Sequence, residues 1–275
     1  MTTRGQARGT RKKLLSAALT LLLIGMLLPF AWMVVGAVSP RWNAAWFNPL
    51  TESPAWGNFA DLFTAMPFGR YFLNSAIVAA VVTIGNVLLC FPVGYALARR
   101  RFAGRRVLFG AAAMVLMVPQ YVLIVPMFVL MHQLGLYDSV WAIILPVIVS
   151  PLGILLVKSA VSTVPIAVEE AARMDGAGSW TIVYRIVMPI CRPTLAVLAV
   201  QVFWLTWNAF LFPFILTGEK ARTLPVALAM FRGFQSVDLP HLFAAATLAT
   251  LPVIIVFIVF QRQIIAGLTS GAVKG

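Results

Sequence analysis

Charge is the scarcest commodity in this 275-residue chain. Asp, Glu, Lys and Arg together make 11% of it, against about 25% in a soluble globular domain. Eight residues are acidic, two are histidine and two are cysteine. Cys90 and Cys191 form no CxxC pair and no metal-ligand spacing. That excludes a disulfide scaffold and a thiolate metal site, and the expectation is two small packed thiols with no bound metal. No GxxxxGK[ST] phosphate loop is present, so nucleotide binding of that kind is excluded. With charge this low and apolar content this high, a disordered chain and a collagenous one are excluded too.

What is present is apolar. Hydrophobic residues make up 61% and aromatics 12%, with 17 prolines and 19 glycines, and the mean hydropathy is +0.94. The chain reads as an all-α polytopic membrane protein, in which Gly and Pro are tolerated inside helices. A spanning helix needs about 20 apolar residues. Six stretches free of Asp, Glu, Lys, Arg and His answer to that: 14–38, 71–98, 107–131, 140–157, 194–217 and 242–260. The first could pass for a secretory signal, but the apolar core of a signal runs to roughly 7–15 residues. At 25 residues it is expected to stay as a span.

The basic residues are unevenly distributed. Sixteen of the 21 lie in the segments 1–13, 99–106 and 158–192 and in the tail 261–275, all on one side of a six-span layout. Five lie on the other side: Arg41, Arg70, Lys220, Arg222 and Arg232. Positively charged loops stay in the cytoplasm, so both termini are expected inside, in a bacterial plasma membrane. The net charge of +13 is then a signal of topology and not of nucleic-acid binding. The outer segment 39–70 carries Trp42, Trp46 and Trp56, which suit the headgroup boundary.

The six stretches hold no acidic or basic side chain and no histidine. Proton- and ion-coupled carriers keep such groups at membrane depth despite their cost, and intramembrane hydrolysis would need a nucleophile facing a base. Both are disfavoured. Asp61, Asp138 and Asp238 stand singly, which argues against an enzyme holding a metal at the membrane surface. If the chain moves a solute uphill, a partner supplies the energy. Neutral polar residues do occur at depth, Asn74, Asn86, Gln120, Gln201, Thr206 and Asn208 among them. They can bond helix to helix or line a passage for an uncharged, hydroxyl-bearing solute.

The longest cytoplasmic connection, 158–192, contains a three-turn helix by its punctuation. Pro165 opens it and Gly176 and Gly178 close it. Glu169 and Arg173 are spaced to pair on one face. Ala167, Ala171 and Met174 form a shallow apolar stripe on another. Ser179 can cap a second helix over 180–188. Such a rod fits either a partner's groove or a solvated loop, and spacing leaves both open.

Glu170-Ala171-Ala172, then Gly176, then Ile186-Val187-Met188-Pro189 resembles the E-A-A-x3-G-x9-I-x-L-P motif of ABC importer permeases. Met188 stands where Leu is usual, a volume-conserving change. Trp204-Leu205-Thr206-Trp207-Asn208-Ala209-Phe210-Leu211 resembles the W-x-x-W-N-D-F-L region of carbohydrate-uptake permeases, with Ala209 in place of the acid. The ending Gln261-Arg262 … Gly267-Leu268-Thr269-Ser270-Gly271-Ala272-Val273-Lys274-Gly275 is similar to that family's tail. The likeness runs from about residue 71 to the end and points to the second permease subunits of maltose-type importers.

The resemblance implies the type I importer permease fold and a non-catalytic role. It implies a second homologous permease, two ATPase subunits that bind ATP and Mg²⁺, an extracytoplasmic solute-binding protein, and no cofactor in this chain. Glu169, Glu170, Ala171, Ala172, Arg173, Asp175 and Gly176 would couple to the ATPase. Gly271, Ala272, Val273, Lys274 and Gly275 would reach it as well. Asn86, Gln120, Trp204 and Asn208 are candidate pathway residues. Gly218, Glu219, Lys220 and Arg232 would meet the binding protein. A six-span carrier or channel working without nucleotide is the alternative.

Overall fold

The structure, a computed structural model, describes residues 3–40, 53–230 and 239–272, with side chains over 12–40, 53–230 and 239–263. The described residues are helical or connecting, with no strand among them. In chain order the helices are α1 (Thr3–Ala37), α2 (Gly57–Ala65), α3 (Phe68–Arg99), α4 (Arg105–Val115), α5 (Ile124–Gln133) and α6 (Val140–Val147). Then come α7 (Pro151–Thr163), α8 (Ile166–Met174), α9 (Ser179–Ile190), α10 (Arg192–Trp207), α11 (Leu211–Leu216), α12 (Leu224–Met230) and α13 (Leu239–Ala272).

Among the described residues, α1, α3 and α13 are each long and apolar enough to cross a membrane. Three more spans arise if each of three bent pairs counts as one: α4 with α5 (95°), α6 with α7 (42°) and α9 with α10 (82°). Six apolar stretches therefore correspond to up to six spans, but half of them are broken. The stretch 107–131, expected as one helix, turns sharply around Pro119, which has no N–H to continue the ladder. The stretch 140–157 continues beyond Lys158 to Thr163, because Lys158 lays its ammonium 4.5 Å from the centroid of Phe109 and need not leave the helix to find a partner. The stretch 194–217 stops at Trp207. There Asn208 Nδ2 donates to Trp204 O, a side-chain bond that competes with the main-chain ladder, and α11 starts afresh at Leu211.

The described chain sorts into two packed units. In the first, α1 shows almost its whole surface from Leu14 to Trp32, with Leu21 70% exposed. A helix apolar on all sides and without a protein core around it is solvated by lipid. Its C-terminal end is fastened by Asn58, which donates to Ala37 O and Ser39 O at 2.9 and 3.0 Å. The Asp61 carboxylate lies 3.7 Å from His241 Nε2.

The second unit is built around α3, which packs along α7 and α10. Small residues let these helices approach. A methyl at Gly94 would come within 2.7 Å of the Val157 side chain and 2.9 Å of Ile154 O, the close backbone contact typical of membrane helix pairs. The α6–α7 break frees backbone groups, and Asn86 satisfies them. Its Nδ2 donates to Val147 O at 2.8 Å and its Oδ1 accepts from Ser150 N at 3.1 Å. Ser150 then caps α7 by accepting from Gly153 N. Asn86 is 1% exposed, and its amide serves as the joint of a broken span.

Candidate functional site

The chain leaves α7 at Val164 and cannot continue helically into Pro165, which has no N–H and lies extended at φ −60°, ψ 133°. Nine residues of α8 follow. They end where Gly176 turns left-handed at φ +81°, a conformation that favours glycine. Gly176 N donates to Arg173 O and Ala177 N to Ala172 O, so the last carbonyls of α8 are satisfied.

Two faces of α8 differ sharply. Glu169 and Ala172 are buried. Glu169, 1% exposed, accepts from Tyr95 Oη at 2.6 Å, from Arg99 Nε at 2.7 Å and from Arg173 Nη2 at 3.4 Å. Arg99 also donates to Val164 O, capping the end of α7. One residue further on, Arg100 reaches the Ser179 hydroxyl at 3.3 Å. The C-terminal turn of α3 thus holds both flanks of α8 by charge-assisted bonds. Ala172 joins the apolar core that includes Tyr95, Val161, Ile182 and Val187.

The opposite face is presented outward. Glu170, Ala167, Ala171 and Asp175 are exposed, Ile166 is 54% and Met174 89% exposed. Among the described residues Glu170 makes no ion pair. Of the residues expected to meet a partner, Glu170, Ala171, Arg173 and Asp175 face outward and Gly176 shapes the exit. Glu169 and Ala172 do not, because both are spent on holding the helix to the body. Ser179 does not cap the next helix: Gly178 holds the N-cap position. The helix α9 carries a π-helical stretch, Ile182–Val187. Tyr184 in that stretch stacks on Trp180 and donates to Leu88 O.

At the other end of the second unit, Asp138 organises the segment 217–223. Its carboxylate accepts from Gly218 N (2.8 Å), Ala221 N (3.0 Å) and Lys220 N (3.3 Å). Asp138 itself sits at φ 57°, where Asp is among the better tolerated residues. Asn74 Nδ2 donates to Lys220 O and Arg222 O, and Ser75 Oγ accepts from Leu224 N. Gly218 is tied to Asp138, while Glu219 and Lys220 project outward. Arg232 lies outside the described residues. The sequence showed Asp138 as an isolated acid; its partners are some 80 residues away. Losing one charge-assisted bond corresponds to about 1.5–3 kcal/mol, or roughly ten- to a hundredfold in an opening equilibrium. Asp138→Ala is therefore expected to speed amide exchange over 217–223 by about that factor, read by hydrogen-exchange mass spectrometry, with α8 unchanged.

Gln120 is exposed in the 3-10 turn at the α4–α5 bend. Asn208 is exposed at the C-terminus of α10. Trp204, 53% exposed, borders an apolar groove of about 340 Å³ together with Gln201 and Phe257. Asn208 is tied to Trp204 by the bond from its Nδ2 to Trp204 O. In the tail, Gly271 and Ala272 close α13, their side chains undescribed, and Val273, Lys274 and Gly275 lie outside the described residues.

Broken spans around a central helix, with a short rod clamped at one end, define a membrane-embedded transport component. The model of the family of binding-protein-dependent transport system inner membrane components matches residues 90–270. The trehalose transport system permease protein SugB of Mycobacterium tuberculosis is 34% identical over 97% of this chain and 100% of its own length. The arabinooligosaccharides transport system permease protein AraQ of Halalkalibacterium halodurans is 35% identical over 90% of this chain and 94% of its own. The chain belongs to this family of inner-membrane permease components. A crystal structure of a bacterial ABC transporter involved in import of the acidic polysaccharide alginate has the same fold, with a TM-score of 0.80 at 20% identity over 95% of this chain and 98% of that one. The all-α importer permease fold implied by the motif resemblance is thus the fold observed.

Proposed function

We propose that the chain is one of two homologous permease subunits of an ATP-driven importer for a sugar or sugar derivative. Both termini lie in the cytoplasm. Two partner ATPases bind ATP and Mg²⁺ and carry out hydrolysis, and this chain is not an enzyme. A solute-binding protein delivers substrate at the opposite face, where Gly218, Glu219, Lys220 and Arg232 meet it. The tail residues Gly271 to Gly275 reach the ATPase interface.

The observation that carries this reading is the two-faced α8. Its inner face is bonded to α3 through Glu169 and packed into the core through Ala172. Its outer face offers Ile166, Ala167, Ala171 and Met174 beside Glu170 and Asp175. An apolar ridge flanked by acids suits a groove with a basic rim. A push on a rod so tied is passed directly to α3. The two relatives named above are called permeases for trehalose and for arabinooligosaccharides, which supports a sugar or sugar derivative as cargo, and the stretches hold no Asp, Glu, Lys, Arg or His that would favour an ion. Gln120, Trp204 and Asn208 are its candidate contacts.

The test is reconstitution in proteoliposomes with the partner permease, ATPases and binding protein, using labelled trehalose, arabino-oligosaccharide and lactose. Uptake of one of them is expected only with internal ATP, and the purified chain alone is expected to hydrolyse none. Sustained uptake by the chain alone without nucleotide would replace this reading with that of an independent carrier.

A further inference from the structure

The helix end that clamps α8 also forms one wall of a cavity of about 650 Å³ between α3, α4 and α7. Four cations line it, Arg101, Arg105, Arg106 and Lys158, and no carboxylate does. Arg105 is held in place by donating from Nε to Leu97 O at 2.9 Å. Lys158 is held over the Phe109 ring. Four like charges converging on one space repel each other unless an anion sits among them.

The remaining walls are apolar. Phe102, Val107 and Phe109 contribute to the cavity, and Val107 and Phe109 are also 75% and 40% exposed on the outer surface of the bundle. The cations stand where α3 leaves its uncharged stretch and α4 enters one, which is the height of the lipid headgroups. A ligand matching both halves carries a phosphate for the guanidinium forks and hydrocarbon for the apolar flank. Basic pockets between membrane helices select such headgroups. A soluble phosphate would use the first half alone.

We propose that this cavity is a binding site for the headgroup of an anionic phospholipid, with an acyl chain laid along Val107 and Phe109. It sits one turn from the Arg99–Glu169 pair, so the bound lipid braces the helix end from which α8 hangs.

The test is native mass spectrometry of the full-length chain in detergent, titrated with phosphatidylglycerol and with phosphatidylcholine of the same acyl composition. Phosphatidylglycerol is expected to bind at least about tenfold tighter, the equivalent of one charge-assisted hydrogen bond. Arg101→Gln with Arg106→Gln, both exposed positions that spare the bonds of Arg105 and Lys158, should erase that preference. Lys12→Gln with Lys13→Gln should leave it intact. Equal loss in the two double variants, or no loss in the first, would overturn the site. Competition by inorganic phosphate or deacylated glycerophosphoglycerol as strong as that of the whole lipid would assign the cavity to a soluble phosphate and end the lipid proposal.

Discussion

Replacing Glu169 with alanine is expected to loosen α8 from the end of α3 and to cut ATP-driven uptake at least about tenfold, since removing one partner of a buried ion pair typically leaves about 3–5 kcal/mol of uncompensated charge. Glu169 is 1% exposed and Arg99 10%, so water does little to screen the pair or to rescue the survivor. In the variant, among the described residues, Arg99 keeps only Val164 O, and Tyr95 Oη loses its acceptor. Glu169→Gln is expected to be milder, because the amide oxygen still accepts while the charge is gone. Arg99→Met combined with Glu169→Leu should recover much of the thermal stability but not the coupling, because packed hydrophobes can replace a buried pair energetically without holding α8 at the same angle. The readouts are amide exchange over 166–174, the thermal midpoint and uptake rate in the reconstituted transporter. Wild-type exchange and uptake in Glu169→Ala would show that the clamp holds nothing.

That clamp marks the boundary of what the sequence could reveal. Local punctuation was enough for α8: Pro165 and Gly176 bracket it, and the four-residue spacing of Glu169 and Arg173 foretold their contact. The decisive partners, Tyr95 and Arg99, are 74 and 70 residues away, beyond the reach of any helical period. A retrospective signal exists in Tyr95 and Arg99 themselves, spaced four apart at the end of a span so that both heads share a face. By sequence alone Arg99 is one more positive charge in the segment 99–106. The bends were hidden for a different reason. Pro119 accompanies a 95° turn, yet Pro29, Pro92 and Pro252 lie inside continuous helices. In lipid, neighbouring groups can re-satisfy a proline's lost bond, so proline alone does not tell a kink from a break. Asn86 illustrates the converse. A buried amide at depth reads equally as pathway or packing until its two backbone partners, Val147 and Ser150, are seen.

Glu170→Lys tests the outer face, and its expected signature is opposite to that of the neighbouring carboxylate. Glu170 is exposed and makes no ion pair among the described residues, and lysine is as good a helix former as glutamate. The substitution should therefore leave the thermal midpoint and the exchange protection of α8 unchanged, since surface changes away from such contacts usually stay within about 0.5 kcal/mol. Against a basic groove rim it turns attraction into repulsion at an interface, where like-charge juxtaposition costs several kcal/mol. Uptake should fall by about two orders of magnitude while the ATPases, measured apart from the permease, keep their basal rate. Raising ionic strength should partly relieve the repulsion, because exposed charges are screened over about 10 Å at 0.1 M salt, whereas it should do nothing for Glu169→Ala, whose defect is buried. A salt response in the Glu170 variant and none in the Glu169 variant would separate the residue that engages the partner from the residue that holds the rod. Normal uptake by the Glu170→Lys transporter would mean that this face of α8 touches no basic groove.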